Sequence, residues 1–569
     1  MSLTEKENLL KNYLDKLYLE GAQARSVASK NWEQAIETIH GNVWPKRRPK
    51  YKVNAVMNFL AQIIDRKAAL LTDSRPTITI TSRNKVDDPV CEVLQKTVEG
   101  ILDEKNFEQK LTEFVMLEEY FGFALFNTCY DKNLNYGKGD LDLVVIDPRC
   151  FIFDPFVTRS WNLQYGEYCC LETIKPTELL CEQYYERRDD IKSDLTTTET
   201  KKDSLVQKLM DLFGFSKSSG ETRTSVIPRS IVRDWWIRDR TSREKGKLVF
   251  PNWRHIIIAG GVPVEDGANP YIDSNHPFDG MEWGFNIDSA YGMNEVDQLE
   301  NPQIMFNKLL ATLLENAILM GNGLWIGDYD ALSKEDWEKL TNEPGSHVRV
   351  RPGKQLRRDS PPALPQYVTE TLNLLINGLE KLSGITEVTE GRRPGQVTSG
   401  VAIESLAIMA QTTIRLKARQ IEGLIQRIGQ KLIPRIFAYY TSDRVFNIVG
   451  NAGKVQKYLY ERKHIREVIE KRGMQAFQDY QFKVIPASSL AMTKWQKGLI
   501  ATQLFQMGLI DNIAALEALE FPNREEILKR MAENPQPQPQ RHSKGAKLPA
   551  NLLRGPKSRE LGMQEMVSK

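Results

Sequence analysis

The sequence predicts a mixed α+β chain, mostly helical and divided into several modules. Three observations carry that prediction. At 569 residues the chain is too long for one simple core. Apolar residues recur at helical spacing over most of its length. Short alternating apolar runs, bounded by Gly, Asn and Pro, interrupt those helices as strands. Hydrophobic residues at 41% and charged residues at 27% are ordinary for a soluble globular protein.

Residues 4–40 place Leu9, Leu10, Tyr13, Leu14 and Leu17 on one helical stripe and Trp32, Ile36 and Ile39 on another. The basic turn PKRRPKYK (45–52) leads to a helix over 53–72 that buries Val56, Phe59, Leu60, Ile63 and Ile64. It stops before Pro76, and TITIT continues as a strand. Helices follow at about 89–105 and 107–121. The block ALFNTCYDKNLNYGKGDLDLVVIDPRCFIFDPF alternates on both sides of a Gly/Asn-rich turn and reads as a β-hairpin. Further strands are expected near 165–174, 231–238 and 247–258, and HIIIAGGVPV (255–264) reads as strand and turn. The polar stretch 189–224 reads as a mobile surface excursion.

From 289 the grammar becomes helical. A helix over 293–320 is expected to be interrupted by Pro302. A small insert follows: strand LWIG, helix SKEDWEKLT opened by Ser333, and strand HVRVRPG. Residues 366–382 form another helix. After a Gly/Pro-broken loop, a helix from about Ser399 to Tyr440 would run roughly 60 Å, bent near Gly423, Gly429 and Pro434. Beyond 441 come a short strand region, a helix near 461–473, strand QFKVIP, and helices near 493–507, 511–519 and 523–533. The tail from Arg541 has seven Lys/Arg against two Glu, a net of +5, and no core-forming pattern.

Charge and motifs exclude several functions. Lys and Arg number 77 against 74 Asp and Glu, so any polyanion contact is local or weak rather than a broad clamp. The six cysteines have no C-x-x-C spacing and read as reduced and mostly buried in an intracellular chain. No apolar run reaches the roughly 18 residues of a bilayer span. GNAGKV (450–455) is the nearest approach to a phosphate loop. Ile448 stands where its first Gly belongs, and Val455 where Ser or Thr would meet magnesium. The six histidines are scattered without ligand spacing. Asp140/Asp142 and Asp328/Asp330 could in principle hold magnesium, but turn and solvation roles fit their loops better.

The basic positions are more telling. HVRVRPGKQLRRDS gathers Arg349, Arg351, Lys354, Arg357 and Arg358 into a solvated loop or a docking surface for nucleic acid or an acidic partner. Arg427, Lys431 and Arg435, four apart on the long helix, read as a solvated face. Twin arginines, Arg392 and Arg393, sit in SGITEVTEGRRPGQVTSGVAI between two apolar helices. There they grip a phosphate, brush past one, or pair with Glu387 or Glu390 of a neighbouring copy.

Four stretches in order resemble the portal (head–tail connector) proteins of tailed bacteriophages. They are VNAVMNFLAQIIDRKAALLTDSRPTITIT; LDLVVIDPRCFIFDPF; the helix, small α/β insert, helix, loop and long helix over 289–440; and FKVIPASSLAMTKWQKGLIATQLFQMGLIDNIAALEALEFPNREEIL. The resemblance implies a ring, typically of twelve, around a DNA channel. By that analogy 1–288 is a wing, 289–320 and 366–382 are stem helices, and 321–365 is the clip. The tunnel loop is 383–398, the long wing helix 399–440, a wing–crown transition 441–489, the crown 490–533, and a flexible basic tail 534–569.

The same resemblance implies that Glu390, Gly391, Arg392, Arg393, Pro394, Gly395 and Gln396 face passing DNA. Arg349, Arg351, Lys354, Arg357 and Arg358 would dock clip partners. The partners implied are other copies of the chain, double-stranded DNA without sequence preference, the terminase large subunit, and head–tail adaptor or tail proteins. Scaffold and the major capsid protein complete the set, with no membrane. No catalytic residue, metal or cofactor is expected. The location implied is the virion's capsid vertex, after assembly in the host cytoplasm. The alternatives are another virion ring, such as an adaptor or internal head protein, and a metal-dependent nucleic-acid enzyme using the acidic pairs.

Overall fold

The N-terminal spacing folds as one helix, α1 (Glu5–Ile39). A capping box opens it: Thr4 accepts the Glu7 N–H, and the Glu7 carboxylate accepts the Thr4 N–H at 2.8 Å. Trp32 is buried as expected and Ile36 and Ile39 are half-buried, but Leu9 and Tyr13 are exposed and only Leu14 of the first stripe is fully covered. Buried Arg25 donates to the carbonyls of Arg149 and Phe151 at 2.6 and 3.2 Å, tying α1 to the sheet behind it.

The computed structural model describes residues 4–194, 227–385, 412–449 and 455–484, with short breaks at 46, 50–51, 74–75, 84–87, 245, 288, 322, 339, 341–348, 360–361 and 363. Ala501, Phe505 and Met507 are described singly. Chain contacts divide the molecule into two units. Met1–Gly450 with Val455–Ala491 holds every element below; Asn451–Lys454 with Met492–Lys569 contains the three single residues. Most of the 189–224 excursion, the start of the long helix at 399–411, the three late helices and the basic tail lie outside the described residues.

Helix α2 (Phe59–Thr72) starts later than the pattern suggests, and Val56 is exposed. Long-range capping explains the difference. The N–H groups of Val53, Met57 and Phe59 donate to the side chains of Glu315, Asn307 and Gln303, each at 3.1 Å, which holds the approach extended. Asn58 then caps α2 by accepting the Ala61 N–H. Strand β1 (Ile78–Ser82), α3 (Asp88–Glu104) and α4 (Phe107–Phe121) follow their predicted spans.

The hairpin forms as β2 (Phe123–Asp131) and β3 (Asp140–Ile146), registered Leu125↔Ile146 through Asp131↔Asp140. Next come β4 (Phe151–Phe153), β5 (Tyr168–Pro176), α5 (Thr177–Gln183) and β6 (Arg229–Ile237). The strand expected at 247–258 is broken at Pro251, which has no N–H for a ladder. It resolves into β8 (Lys247–Leu248), paired with β7 (Arg243–Glu244), and β9 (Arg254–Ala259). Two glycines turn β9 into β10 (Val262–Ala268), and β11 (Phe278–Glu282) completes the block. A five-stranded antiparallel sheet runs β10-β9-β6-β5-β4 and a three-stranded one β11-β2-β3.

Helix α6 (Glu295–Gly321) runs through Pro302 without a break, contrary to expectation. Proline removes one internal hydrogen bond, but the adjacent Gln303 clamps the helix to the α2 approach, donating to the Met57 carbonyl at 2.6 Å. Strand β12 (Leu324–Gly327) and α7 (Lys334–Glu338), capped by Ser333, stand where predicted. The second insert strand does not: β13 is Leu356–Asp359, and Arg349–Lys354 form a turn, with the Lys354 N–H on the Arg351 carbonyl. Helix α8 (Tyr367–Ser383) packs along α6 and ends at left-handed Gly384. Then come α9 (Thr412–Tyr439), β14 (Arg444–Val449), β15 (Val455–Tyr460), α10 (Arg462–Arg472) and β16 (Tyr480–Val484), which pairs with β1.

The largest core gathers on α9. Ile414, Ile421, Leu424, Ile428, Leu432 and Ile436 pack against α3, α4, the hairpin and β16. Each such side chain contributes roughly 1.5–3 kcal/mol by leaving water. An aromatic cluster of Trp32, Phe121, Phe123, Phe151, Phe278 and Tyr291 forms a second core. Between them three backbone segments cross: the Trp283 N–H donates to Gly122 at 2.8 Å, and the Met293 N–H to Trp283 at 2.9 Å. A side chain at Gly292 would collide with the carbonyl oxygens of both Trp283 and Gly122. Backbone cannot yield as a side-chain end can. Gly292→Ala is therefore expected to destabilise the chain by about 3 kcal/mol or more, read as a lowered urea midpoint with an unchanged slope.

Candidate partner and nucleic-acid interfaces

The basic cluster expected at a docking site lies on the insert between α6 and α8. β12 pairs antiparallel with β13, so Trp325 faces Arg358 and Ile326 faces Arg357. Successive strand residues point to opposite faces, so the two arginines cannot form one patch. Arg358, itself exposed, donates its guanidinium to the Gly321 carbonyl at the end of α6 and lies 5.9 Å from the Trp325 ring. Arg349, Arg351, Lys354, Arg357 and Arg358 are all exposed, with Arg351 3.8 Å from the equally exposed Asp330. Ile326, Tyr329, Trp337 and Val350 are exposed on the same insert, so the surface it offers mixes cations with aromatic and aliphatic groups.

The acidic pairs have other work. Asp140 is buried and receives Lys105 at 2.7 Å, the Tyr440 hydroxyl at 2.7 Å and Arg444 at 2.9 Å, while Lys110 sits 3.0 Å from Asp142. These are structural ion pairs, not the turn and solvation roles expected from sequence. Asp328 does hold a turn, accepting the Gln355 N–H at 3.0 Å. Among the described residues no group of three or more His, Cys, Asp or Glu is placed to hold a metal ion.

Arg427, Lys431 and Arg435 are the clearest correction. They point into the core rather than toward solvent, with Lys431 and Arg435 buried. β11 is the edge of its sheet, and its outward carbonyls need donors. Arg427 donates to Gly280 at 2.7 Å and Lys431 to Phe278 at 2.9 Å, while Lys431 also pairs with Asp279 at 2.8 Å. Arg435 stacks 3.8 Å over Tyr271 and lies 3.8 Å from Asp273. Burial pulls the pKa of Lys431 down, and the Asp279 carboxylate opposes that pull.

Sequence reasoning missed a second charged centre. Lys417 of α9 meets Glu119 of α4 at 3.1 Å and Glu295 of α6 at 2.9 Å, and Lys67 of α2 closes the group on Glu295. Burial raises the Glu119 pKa. At Glu295 burial acts the same way, but Lys417 and Lys67 outweigh it and hold that carboxyl below its ordinary range. Residues 390–396, with Arg392 and Arg393, lie outside the described residues. Before them, Ile385 is buried beside Leu60, Ile63 and Leu379.

The described residues fold as a mixed α+β body that includes α6 and α8, packed together and joined by the small insert. A family model for the phage P22-like portal protein matches residues 16–553, and the chain belongs to that family. It is thus a component of the bacteriophage virion that connects head and tail and serves genome packaging. No curated protein matches the chain.

Lys431→Met would strand Asp279 in the core. A loss of about 3–5 kcal/mol is expected, against less than about 0.5 kcal/mol for Lys354→Met on the insert surface; chemical denaturation of the two variants checks the contrast.

Proposed function

We propose that identical copies of this chain close a ring, a dodecamer, whose bore conducts double-stranded DNA at the capsid vertex. On this reading 1–288 and 399–440 form the wing, 289–320 and 366–382 the stem, 321–365 the clip, and 383–398 the tunnel loop. Residues 441–489 join the wing to a crown at 490–533, and 534–569 trail as a basic tail. The observation that carries the reading is the α6–insert–α8 hairpin and the apolar surface it leaves uncovered. Leu314, Ile318, Leu319 and Met320 are exposed on α6, as are Tyr367, Leu374 and Leu382 on α8. By length and composition alone α6 would qualify to cross a membrane. In a portal ring, the same apolar helix buries against the stems of neighbouring copies.

The chain does no chemistry of its own here; a separate packaging motor, the terminase, moves the DNA. Motor and tail adaptors dock in turn on the clip, where Arg349, Arg351, Lys354, Arg357 and Arg358 are exposed, as are Tyr329 and Trp337. Scaffold and the major capsid protein meet the wing during assembly in the host cytoplasm. Arg392 and Arg393 brush the duplex backbone. Contacts to phosphate carry no sequence information, and a few per subunit, screened by salt, guide DNA without arresting it.

Arg392→Ala with Arg393→Ala is expected to leave ring assembly intact and to impair DNA packaging or retention. Native mass measurement beside a packaging assay checks this, and loss of the ring would assign the pair to Glu387 or Glu390 of a neighbour instead. Lys354→Glu with Arg357→Glu should weaken terminase binding in a pull-down severalfold without changing subunit stability, because neither side chain supports the fold.

A further inference from the structure

The proposed ring gives no role to the basic turn PKRRPKYK (45–52), which lies in a stretch of one sign. No Asp or Glu stands between Glu37 and Asp65, whereas Lys46, Arg47, Arg48, Lys50 and Lys52 crowd the turn. On the helix that this stretch lines, α6, Glu315 is the only acidic residue from Asn301 to Gly321.

The fold presents the turn rather than neutralising it. Trp44 donates its indole N–H to the Ala55 carbonyl at 3.1 Å, and the Lys52 N–H closes on the Pro49 carbonyl at 3.0 Å. The Val53 N–H then meets Glu315, which pins the segment to the far half of α6. Arg48 braces this arrangement. Its guanidinium lies 3.8 Å over the Trp44 ring, donates to Asn54 at 3.2 Å and pairs with Glu315 at 3.2 Å. That pairing cancels the one carboxylate here that would repel an anion. Arg47 and Lys52 are exposed, and neither meets a carboxylate among the described residues. Lys308, also exposed and also without such a partner among them, stands seven residues before Glu315. It is therefore on the same side of α6, about 10 Å away along the axis.

Exposed cations with no acid among them suit a uniform polyanion. Protein surfaces intersperse both signs, whereas a duplex offers one negative charge per about 1.7 Å of its axis. We propose that Arg47, Lys52 and Lys308 form a contact for the phosphate backbone of double-stranded DNA, in addition to the loop that carries Arg392 and Arg393. This contact rests on the reading of the chain as a DNA-conducting subunit and gives that reading a second site. Phosphate contacts read no bases, and salt screens them, so the site holds any sequence and holds it loosely. Arg48 is a positioning residue, acting through the turn it braces.

The test uses the full chain with Arg392→Ala and Arg393→Ala already in place, so that the loop contributes nothing. Fluorescence anisotropy with a short duplex of arbitrary sequence, across a salt series, reads affinity and its salt dependence. Adding Arg47→Ala, Lys52→Ala and Lys308→Ala is expected to weaken binding about tenfold or more at low salt. The slope of log affinity against log salt should fall by about 3. Arg47→Lys with Lys52→Arg and Lys308→Arg keeps the charges and should keep both values. Unchanged affinity in the alanine variant overturns the proposal, as does weaker binding with an unchanged slope, or a parent that does not bind the duplex at low salt. Native mass measurement separates this site from the ring. If the alanine variant alone loses the oligomer, the turn is a contact between copies and the DNA site is overturned. If every form, wild type included, is a single chain and the alanine variant still loses affinity and slope, the DNA site stands and the ring does not.

Discussion

Helix α9 carries arginine and lysine into the interior, and a buried cation without an acceptor costs several kcal/mol. That constraint organises the surrounding chain. Strand β11 runs beside the helix as an edge strand, and its outward carbonyls at Phe278 and Gly280 lack a strand partner on that side. Each defect cures the other: Lys431 and Arg427 take those carbonyls, and Asp279 and Asp273 balance the charge. An exposed strand edge is thereby closed to pairing with other chains. The aliphatic stripe of α9 is then free to gather α3, α4, the hairpin and β16 into one core.

A second consequence concerns where α6 begins. Its first turn is held twice, by Lys67 and Lys417 on Glu295 and by the backbone crossing of Gly122, Trp283 and Met293. Its far end is different, with apolar side chains facing outward. On the helical pair Leu314, Ile318, Leu319 and Met320 of α6 and Leu374 and Leu382 of α8 stay exposed.

Much of the element order was legible in the sequence, for stated reasons. The hairpin β2–β3 declared itself by alternation around a Gly/Asn turn, and α3, α4 and α8 by apolar spacing, because those signals are local. What failed was long-range. Nothing near residues 53–58 announces that Glu315, Asn307 and Gln303 will take their N–H groups, so the α2 boundary was placed too early. The turn at Pro352–Gly353 displaced the insert strand to Leu356–Asp359, turning the Arg357–Arg358 pair into opposite faces of a strand. Asp140 read as a turn residue because its partners, Lys105 and the pair Tyr440 and Arg444, come from two distant places in the chain. A signal for the α9 cations was present: on a helical projection they flank the aliphatic stripe beside Leu424 instead of opposing it.

The same burial bears on how basic residues should be counted toward DNA binding. Lys67, Lys105, Lys110, Lys417, Lys431, Arg435 and Arg444 lie within the fold, each beside a carboxylate. A buried pair has no net charge at a distance, so these cations contribute little to the field outside. The near balance of 77 basic and 74 acidic residues then does not measure what a passing duplex meets. It reflects in part an interior wired with ion pairs. A chain nearly neutral overall can therefore still present exposed cations locally, as at Arg349, Lys354 and Arg357 on the insert.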